Sequence, residues 1–200
     1  MTREQAAPRP SEPRRLDVPL RKQQASEWCW AAVSQAVDKF FDPASDLQQC
    51  KIVSNAFHRA CCGAGDTPVR ESACNRPGYL HEVLGTLGLL AKPSPDAGLP
   101  AIKGPVPFDQ LRGEIDRGRP VCVLIKWRDG GGRGHFIMIE GYSISASKTP
   151  YVFVRNPMSP RSSSHHPYHV IASQGPDGGY QDGQGVWAYS FLVQPRTGKA

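Results

Sequence analysis

Between residues 26 and 41 the apolar side chains Trp30, Val33, Ala36, Val37 and Phe40 return every three or four positions, which is the spacing of one helical face. Ser26 is a candidate cap at the start of this helix, and Asp42-Pro43 stops it. A second helix is predicted over residues 45–57, with Leu47, Cys50, Ile52 and Val53 on its partly apolar side. Residues 59–77 are irregular in pattern and rich in Cys, Gly and Pro, as expected of a long, cross-linked loop. A third helix falls near residues 79–87 and a fourth, after a Pro-rich connector, near 108–117. Past Gly118 the period shortens. Residues 120–127, 135–143, 151–155, 168–172 and 186–193 are short runs of β-branched and aromatic side chains, which predict strands. The Gly-, Ser- and Pro-rich loops between them leave no room for helical crossovers, so the strands are expected to pair antiparallel. Helices followed by strands make an α+β chain, with a helical lobe over 18–117 and a β lobe over 118–200.

Residues 1–17 are rich in Pro, Arg and Glu and show no apolar run, so they read as a disordered tail without the hydrophobic segment of a secretory signal. At 200 residues and 39% hydrophobic, the chain can bury one core. The formal charge is +6, but basic residues alternate with acidic ones and form no stripe suited to a phosphate backbone, which argues against a nucleic-acid partner. No window approaches the roughly 18 apolar residues that span a bilayer, so no membrane partner is expected either. The chain reads as a monomer.

Four residues could carry chemistry together. Cys29 lies in the first turn of the first predicted helix, where partial positive charge and free N–H groups favour a thiolate. Nucleophilic catalysis by a thiol needs a base, and the base needs a group to hold its ring. His135 opens a strand directly after Asp129-Gly-Gly-Gly-Arg-Gly134, a hairpin turn rather than a phosphate loop because no Gly-Lys-Ser/Thr follows. Asn156 ends the next strand at an Asn-Pro step. Gln23 precedes Cys29 by six residues, where its amide could meet the oxygen of a tetrahedral intermediate, and Gln24 competes for that role. Taken singly, each has a plainer reading: small core thiol, ordinary strand histidine, turn residue, exposed amide.

The run QQASEWCWAA from Gln23 to Ala32 resembles the active-site helix of papain-like cysteine proteases, and GHF (Gly134 to Phe136) and VRNP (Val154 to Pro157) resemble their later His and Asn segments. WCWAA, Gln49-Cys50, the Cys61-Cys62 pair and Cys74-Asn75 resemble more narrowly the compact bacterial branch that includes effector proteases. The resemblance spans residues 18–195. It implies a papain-like fold with an antiparallel, barrel-like sheet, and Cys29 thiolate paired with His135 imidazolium. Asn156 would orient the base and Gln23 would line the oxyanion hole. It also implies a protein or peptide substrate, an acyl-thioester intermediate and no cofactor. Transglutamination or deamidation of protein glutamine would use the same machinery, and a non-catalytic binding module of the same fold is the reading from a different class. His135 and Asn156 follow Cys29 more closely than the ~130–150 residues typical of papain-type enzymes, which implies trimmed loops. Asn-Pro stands where papain has Asn-Ser-Trp, leaving Trp187 as the candidate cover for the His–Asn bond.

The remaining candidates have structural readings. Cys122 is flanked by Val121, Val123 and Leu124 and reads as core. Cys50, Cys61, Cys62 and Cys74 lack the C-x-x-C spacing of a structural zinc site, so two disulfides are expected, each joining one of the adjacent pair to one outer cysteine. Disulfides place the mature protein outside the producing cytoplasm, secreted or injected by a leaderless route from a bacterial source, with the producer's cytoplasm as the alternative. His165, His166 and His169 read as a solvated loop, and Glu140 is out of strand phase with His135.

Overall fold

The computed structural model describes residues 12–91, 101–129 and 131–196; the first eleven residues of the expected tail, most of the Pro-rich connector, Gly130 of the hairpin turn and the last four residues lie outside it. Helix α1 (Cys29–Phe41) is buried from Cys29 through Asp38, so it is the central helix of the molecule. It begins at Cys29, three residues later than the apolar spacing suggested. Trp28 occupies the capping position without a side-chain cap, and the Ser26 hydroxyl instead accepts from Asn75 Nδ2 at 2.9 Å. Helix α2 (Gln49–Phe57) is also shorter than expected, because the Ser45 hydroxyl turns back to donate to the Asp38 carboxylate and residues 45–48 stay non-helical. It ends where His58 adopts a left-handed conformation. Helices α3 (Leu80–Thr86) and α4 (Phe108–Asp116) fall where the pattern placed them.

All strand pairs are antiparallel. The strands are β1 (Arg14–Arg15), β2 (Ile102–Lys103), β3 (Val121–Trp127), β4 (Gly134–Ile144), β5 (Pro150–Arg155), β6 (Ser164–Pro167) and β7 (Gly185–Leu192). Their order is β2-β7-β3-β4-β5-β6, with β1 added against β4. The path ends at β2 and β6 without closing, so the sheet is barrel-like only loosely. Period-two alternation gives it two packed faces. Cys122, Phe136, Met138, Phe191 and Val193 belong to one core with α1, α2 and α3. Val121, Val123, Ile125, Ile137, Ile139 and Val154 belong to a second core with Leu111 and Ile115 of α4. Cys122 is thus core, and α4 packs on the sheet rather than with the other helices. Each fully buried aliphatic side chain here contributes about 1.5–3 kcal/mol.

Three expectations are corrected. Residues 168–171 form a helical turn, α5 (Tyr168–Ile171), not a strand: the ladder ends at Pro167, which has no N–H to donate, and a helical spacing lets Tyr168 and Ile171 both pack on the second core. The strand lies just before it, so His165 and His166 are on edge strand β6 rather than in a loop, and the His165 ring stacks on Tyr151 and Phe153 at 4.6 and 4.5 Å between centroids. Within the expected tail, Arg14 and Arg15 pair with Tyr142 and Gly141. Gly141 makes that approach possible, because a Cβ there would stand 2.3 Å from the Arg14 carbonyl oxygen. Beside it Glu140 sits at a shift of the β4–β5 register, buried, and meets Arg15 at 2.7 Å and Arg155 at 3.1 Å.

The loop after α2 is closed by Cys50–Cys62 and Cys61–Cys74, one of the two connectivities the sequence left open. Cys29 and Cys122 remain free thiols. No helix among the described residues is long and apolar enough to cross a membrane.

Candidate active site

Cys29 is the first residue of α1, and His135 is the second residue of β4. Both are at most 7% exposed, and both line a cleft of about 700 Å³ together with Ser26, Glu27, Trp127 and Met158. On the other flank of Cys29 the cleft continues as a smaller cavity of about 270 Å³ walled by Trp30, Gly78, Tyr79, Leu124 and Phe136. Gly78 keeps this wall low, since a Cβ would overlap the Trp30 ring at 2.4 Å.

Nε2 of His135 lies 2.8 Å from Oδ1 of Asn156. A carboxamide oxygen can only accept, so Nε2 carries the proton and Nδ1 holds the free lone pair. The oxygen assignment is supported by the Met158 backbone N–H, which donates to the same Oδ1 at 2.9 Å. Burial lowers the His135 pKa from its ordinary value, and the Asn156 hydrogen bond opposes that in part. Burial likewise raises the Cys29 thiol, aided by the Glu27 carboxylate and opposed by the backbone N–H groups of Phe136, Trp30 and Cys29 itself. Both shifts arise chiefly from burial, which disfavours the charged form of each group taken by itself. Burial pushes the Cys122 thiol up further, as suits an inert core residue.

The His–Asn bond is covered by Trp127, not Trp187. The Trp127 indole stacks on His135 with centroids 6.1 Å apart and planes at 19°, whereas Trp187 is buried and donates from Nε1 to Ser190 Oγ at 2.8 Å. Tyr180, which sequence reasoning missed, accepts from Asn156 Nδ2 at 2.9 Å. The signal for Trp127 was present: it ends the strand that pairs with the start of β4 across the glycine-rich turn.

Gln23 lines an adjoining cavity with Gln24 and Asn75, which shares Ser26 and Met158 with the Cys29 cleft. Its Nε2 donates to the carbonyls of Ala25 at 3.0 Å and Ser26 at 2.6 Å, so it braces the turn that leads into Cys29. Gln24 is held by its backbone, whose N–H donates to Gln49 Oε1 at 2.9 Å. The same turn is gripped from the other side. Asn75 Oδ1 accepts from Glu27 N, Trp28 Nε1 donates to Cys74 O at 2.8 Å, and Trp30 Nε1 donates to Arg76 O at 3.2 Å. The Cys61–Cys74 disulfide therefore anchors the segment that fixes both tryptophans around the nucleophile. Glu140, in its ion network with Arg15 and Arg155, is not part of the Cys–His–Asn cluster.

Among the described residues the only clustered metal-type ligands are Cys50, Cys62 and Asp66, and the two sulfurs are bonded to each other. The arrangement suits acyl transfer through sulfur: a thiol at a helix start, an oriented imidazole with a free lone pair, and an open cleft on both sides.

The model of the Peptidase_C39 like family matches residues 15–177. Solved structures similar to the chain include the bromelain protease from Ananas comosus in complex with the E64 inhibitor, at 14% identity, covering 88% of this chain and 94% of that one, with a TM-score of 0.49. Another is a recombinant stem bromelain precursor, at 14% identity, covering 88% of this chain and 67% of that one, with a TM-score of 0.45. No curated protein sequence matches.

Proposed function

From the premise that this chain belongs to the Peptidase_C39 like family and is a cysteine peptidase, we propose that it cleaves internal peptide bonds with a Cys29–His135–Asn156 triad. The observation that supports it best is the 2.8 Å contact between His135 Nε2 and Asn156 Oδ1, which leaves Nδ1 free in the cleft that also holds Cys29. In the first step Cys29 Sγ attacks the carbonyl carbon as its proton passes to His135 Nδ1. The oxygen gains negative charge and is met by the Cys29 backbone N–H at the helix start and by the Gln23 amide, which releases one of its two carbonyl partners to do so. The imidazolium then gives its proton to the leaving nitrogen, the C–N bond breaks and an acyl-thioester remains. Water, deprotonated by His135, attacks the thioester; the C–S bond breaks, the acid leaves and Cys29 recovers its proton. The two disulfides support action in an oxidising compartment outside the producing cytoplasm, and the effector-type branch is part of this reading on the strength of the WCWAA run.

The test is hydrolysis of fluorescein-labelled casein by the oxidised protein, with Cys29→Ala and His135→Ala alongside. Each variant is expected to lose turnover by at least about 10³-fold with its melting temperature retained. Full turnover in either one refutes the triad.

A further inference from the structure

Behind the proposed triad stands one more buried polar group. The Tyr180 hydroxyl is 2.9 Å from Asn156 Nδ2, and Tyr180 is 3% exposed. Asn156 has two chemically different ends that differ little in shape. Presented with oxygen toward His135, it accepts from Nε2–H and leaves the Nδ1 lone pair free. Presented with its amino group, it would donate to Nε2, move the ring proton to Nδ1 and leave nothing there to take the Cys29 proton. The direction in which Asn156 faces therefore selects the working tautomer.

Tyr180 is built to hold that direction. It lies in a tight loop where its backbone N–H donates to Gly185 O at 2.8 Å and its carbonyl accepts from Gly185 N at 3.0 Å. Gln181 and Asp182, which follow it, take left-handed conformations, so the chain turns sharply there. Gly179 before it is required, since a Cβ would stand 2.3 Å from Gly185 O. The preceding stretch is gripped by Arg128, whose guanidinium donates to the carbonyls of Gly175 at 2.7 Å and Gly178 at 3.2 Å. The Tyr180 ring packs against Trp127, the indole that covers His135, with centroids 6.2 Å apart. Loop, indole and hydroxyl thus form one support behind Asn156.

We propose that Tyr180 is a positioning residue: by accepting the Asn156 Nδ2 hydrogen while the Met158 N–H donates to Oδ1, it completes the hold that keeps Oδ1 toward His135 and so keeps the imidazole in the Nε2–H tautomer that can accept a proton from Cys29. This rests on the triad reading above and adds a residue that touches neither substrate nor reacting atoms. The hydroxyl acts through Asn156, so the effect of removing it vanishes when Asn156 is gone.

The experiment uses Tyr180→Phe, which keeps the ring and its packing, with Asn156→Ala and the double variant in the oxidised full chain. Two readouts are taken: the initial rate of fluorescein-labelled casein hydrolysis, and the two-bond ¹H–¹⁵N correlation of ¹⁵N-histidine protein, with His135 assigned by its absence from His135→Ala. Tyr180→Phe is expected to lower the rate about tenfold, as for loss of one hydrogen bond of about 1.4 kcal/mol, and to turn the pure Nε2–H pattern of His135 into a mixture. The double variant is expected to be no slower than Asn156→Ala. A wild-type rate with an unchanged tautomer in Tyr180→Phe overturns the proposal, as do losses that multiply in the double variant. A wild-type rate in Asn156→Ala refutes the triad itself, and the positioning role falls with it.

Discussion

Removing the Cys61–Cys74 disulfide by the pair Cys61→Ala and Cys74→Ala should cost both stability and catalysis, whereas removing Cys50–Cys62 should cost stability alone. The two links close loops of nearly equal length, with sequence separations of 13 and 12, so the chain-entropy model gives each about 3 kcal/mol. For a chain of this size that corresponds to a fall of roughly 6–12 °C in melting temperature. The two links differ in what they hold. Cys74, Asn75 and Arg76 make hydrogen bonds to Trp28, Glu27, Ser26 and Trp30, the residues that surround Cys29. Among the described residues no such bond runs from Cys62 to this turn. Alanine avoids burying a new hydroxyl where Cys61 and Cys74 are 0% and 2% exposed. The assay is guanidinium unfolding of each oxidised variant, followed by the rate of Cys29 alkylation with iodoacetamide at a temperature where both are folded. Equal alkylation rates in the two variants would refute the anchoring argument. A loss below about 1 kcal/mol in either would refute the loop-closure estimate.

The Gln23 and pH predictions concern the oxyanion and the proton. Gln23→Ala should slow casein hydrolysis about 10²-fold while Gln24→Ala stays near wild type, and the reverse pattern moves the oxyanion role to Gln24. For pH, the base acts as neutral imidazole and the His135 pKa is lowered by burial, so hydrolysis should persist as pH falls through 6.5 and decline only below it. Because burial raises the Cys29 thiol, its alkylation should accelerate as pH rises into the alkaline range; full-rate alkylation at pH 5 would instead reveal a thiolate held by the His135 imidazolium.

What the sequence disclosed was whatever depends on near neighbours along the chain. Four helices and the strands at β3, β4, β5 and β7 follow from local periodicity, and the Cys61-Cys62 pair restricted the disulfides to two patterns because adjacent cysteines rarely bond to each other. What it hid depends on partners far away. Arg14 and Arg15 carry no apolar alternation, so nothing in their own stretch marks them as a strand; their place is set by the absent side chain of Gly141, more than a hundred residues on. Residues 168–172 have strand-like composition, yet packing of Tyr168 and Ile171 on one core overrides it. Trp127 and Tyr180 read as ordinary aromatics until the hairpin and the 180–185 loop bring them against His135 and Asn156. The Gln23 amide is turned to the Ala25 and Ser26 carbonyls, and a side-chain rotamer of this kind leaves no trace in the sequence pattern.

A cleft assembled from a helix and a sheet works only if the two keep their distance to within about half an ångström. Here the segment entering the nucleophile helix is itself laced across the strands that carry the base and its orienter. Leu16 N–H donates to Glu140 O at 2.8 Å on β4, and Arg155, the residue before Asn156, donates from Nη2 to Val18 O at 2.9 Å. Gln23 N–H then donates to Pro157 O at 2.9 Å, the residue after Asn156. The strip thus touches the sheet on both sides of Asn156 before it turns through Ala25 to Glu27 into Cys29. A shift of α1 against β4 has to break these bonds together. The buried Glu140, paired with Arg15 of the strip and Arg155 of β5, resists it as well, because separating the two would leave its charge in the core without a partner. Residues that touch no substrate therefore hold the nucleophile–base geometry, and two of them, Arg15 and Leu16, lie in the stretch whose composition reads most plainly as tail.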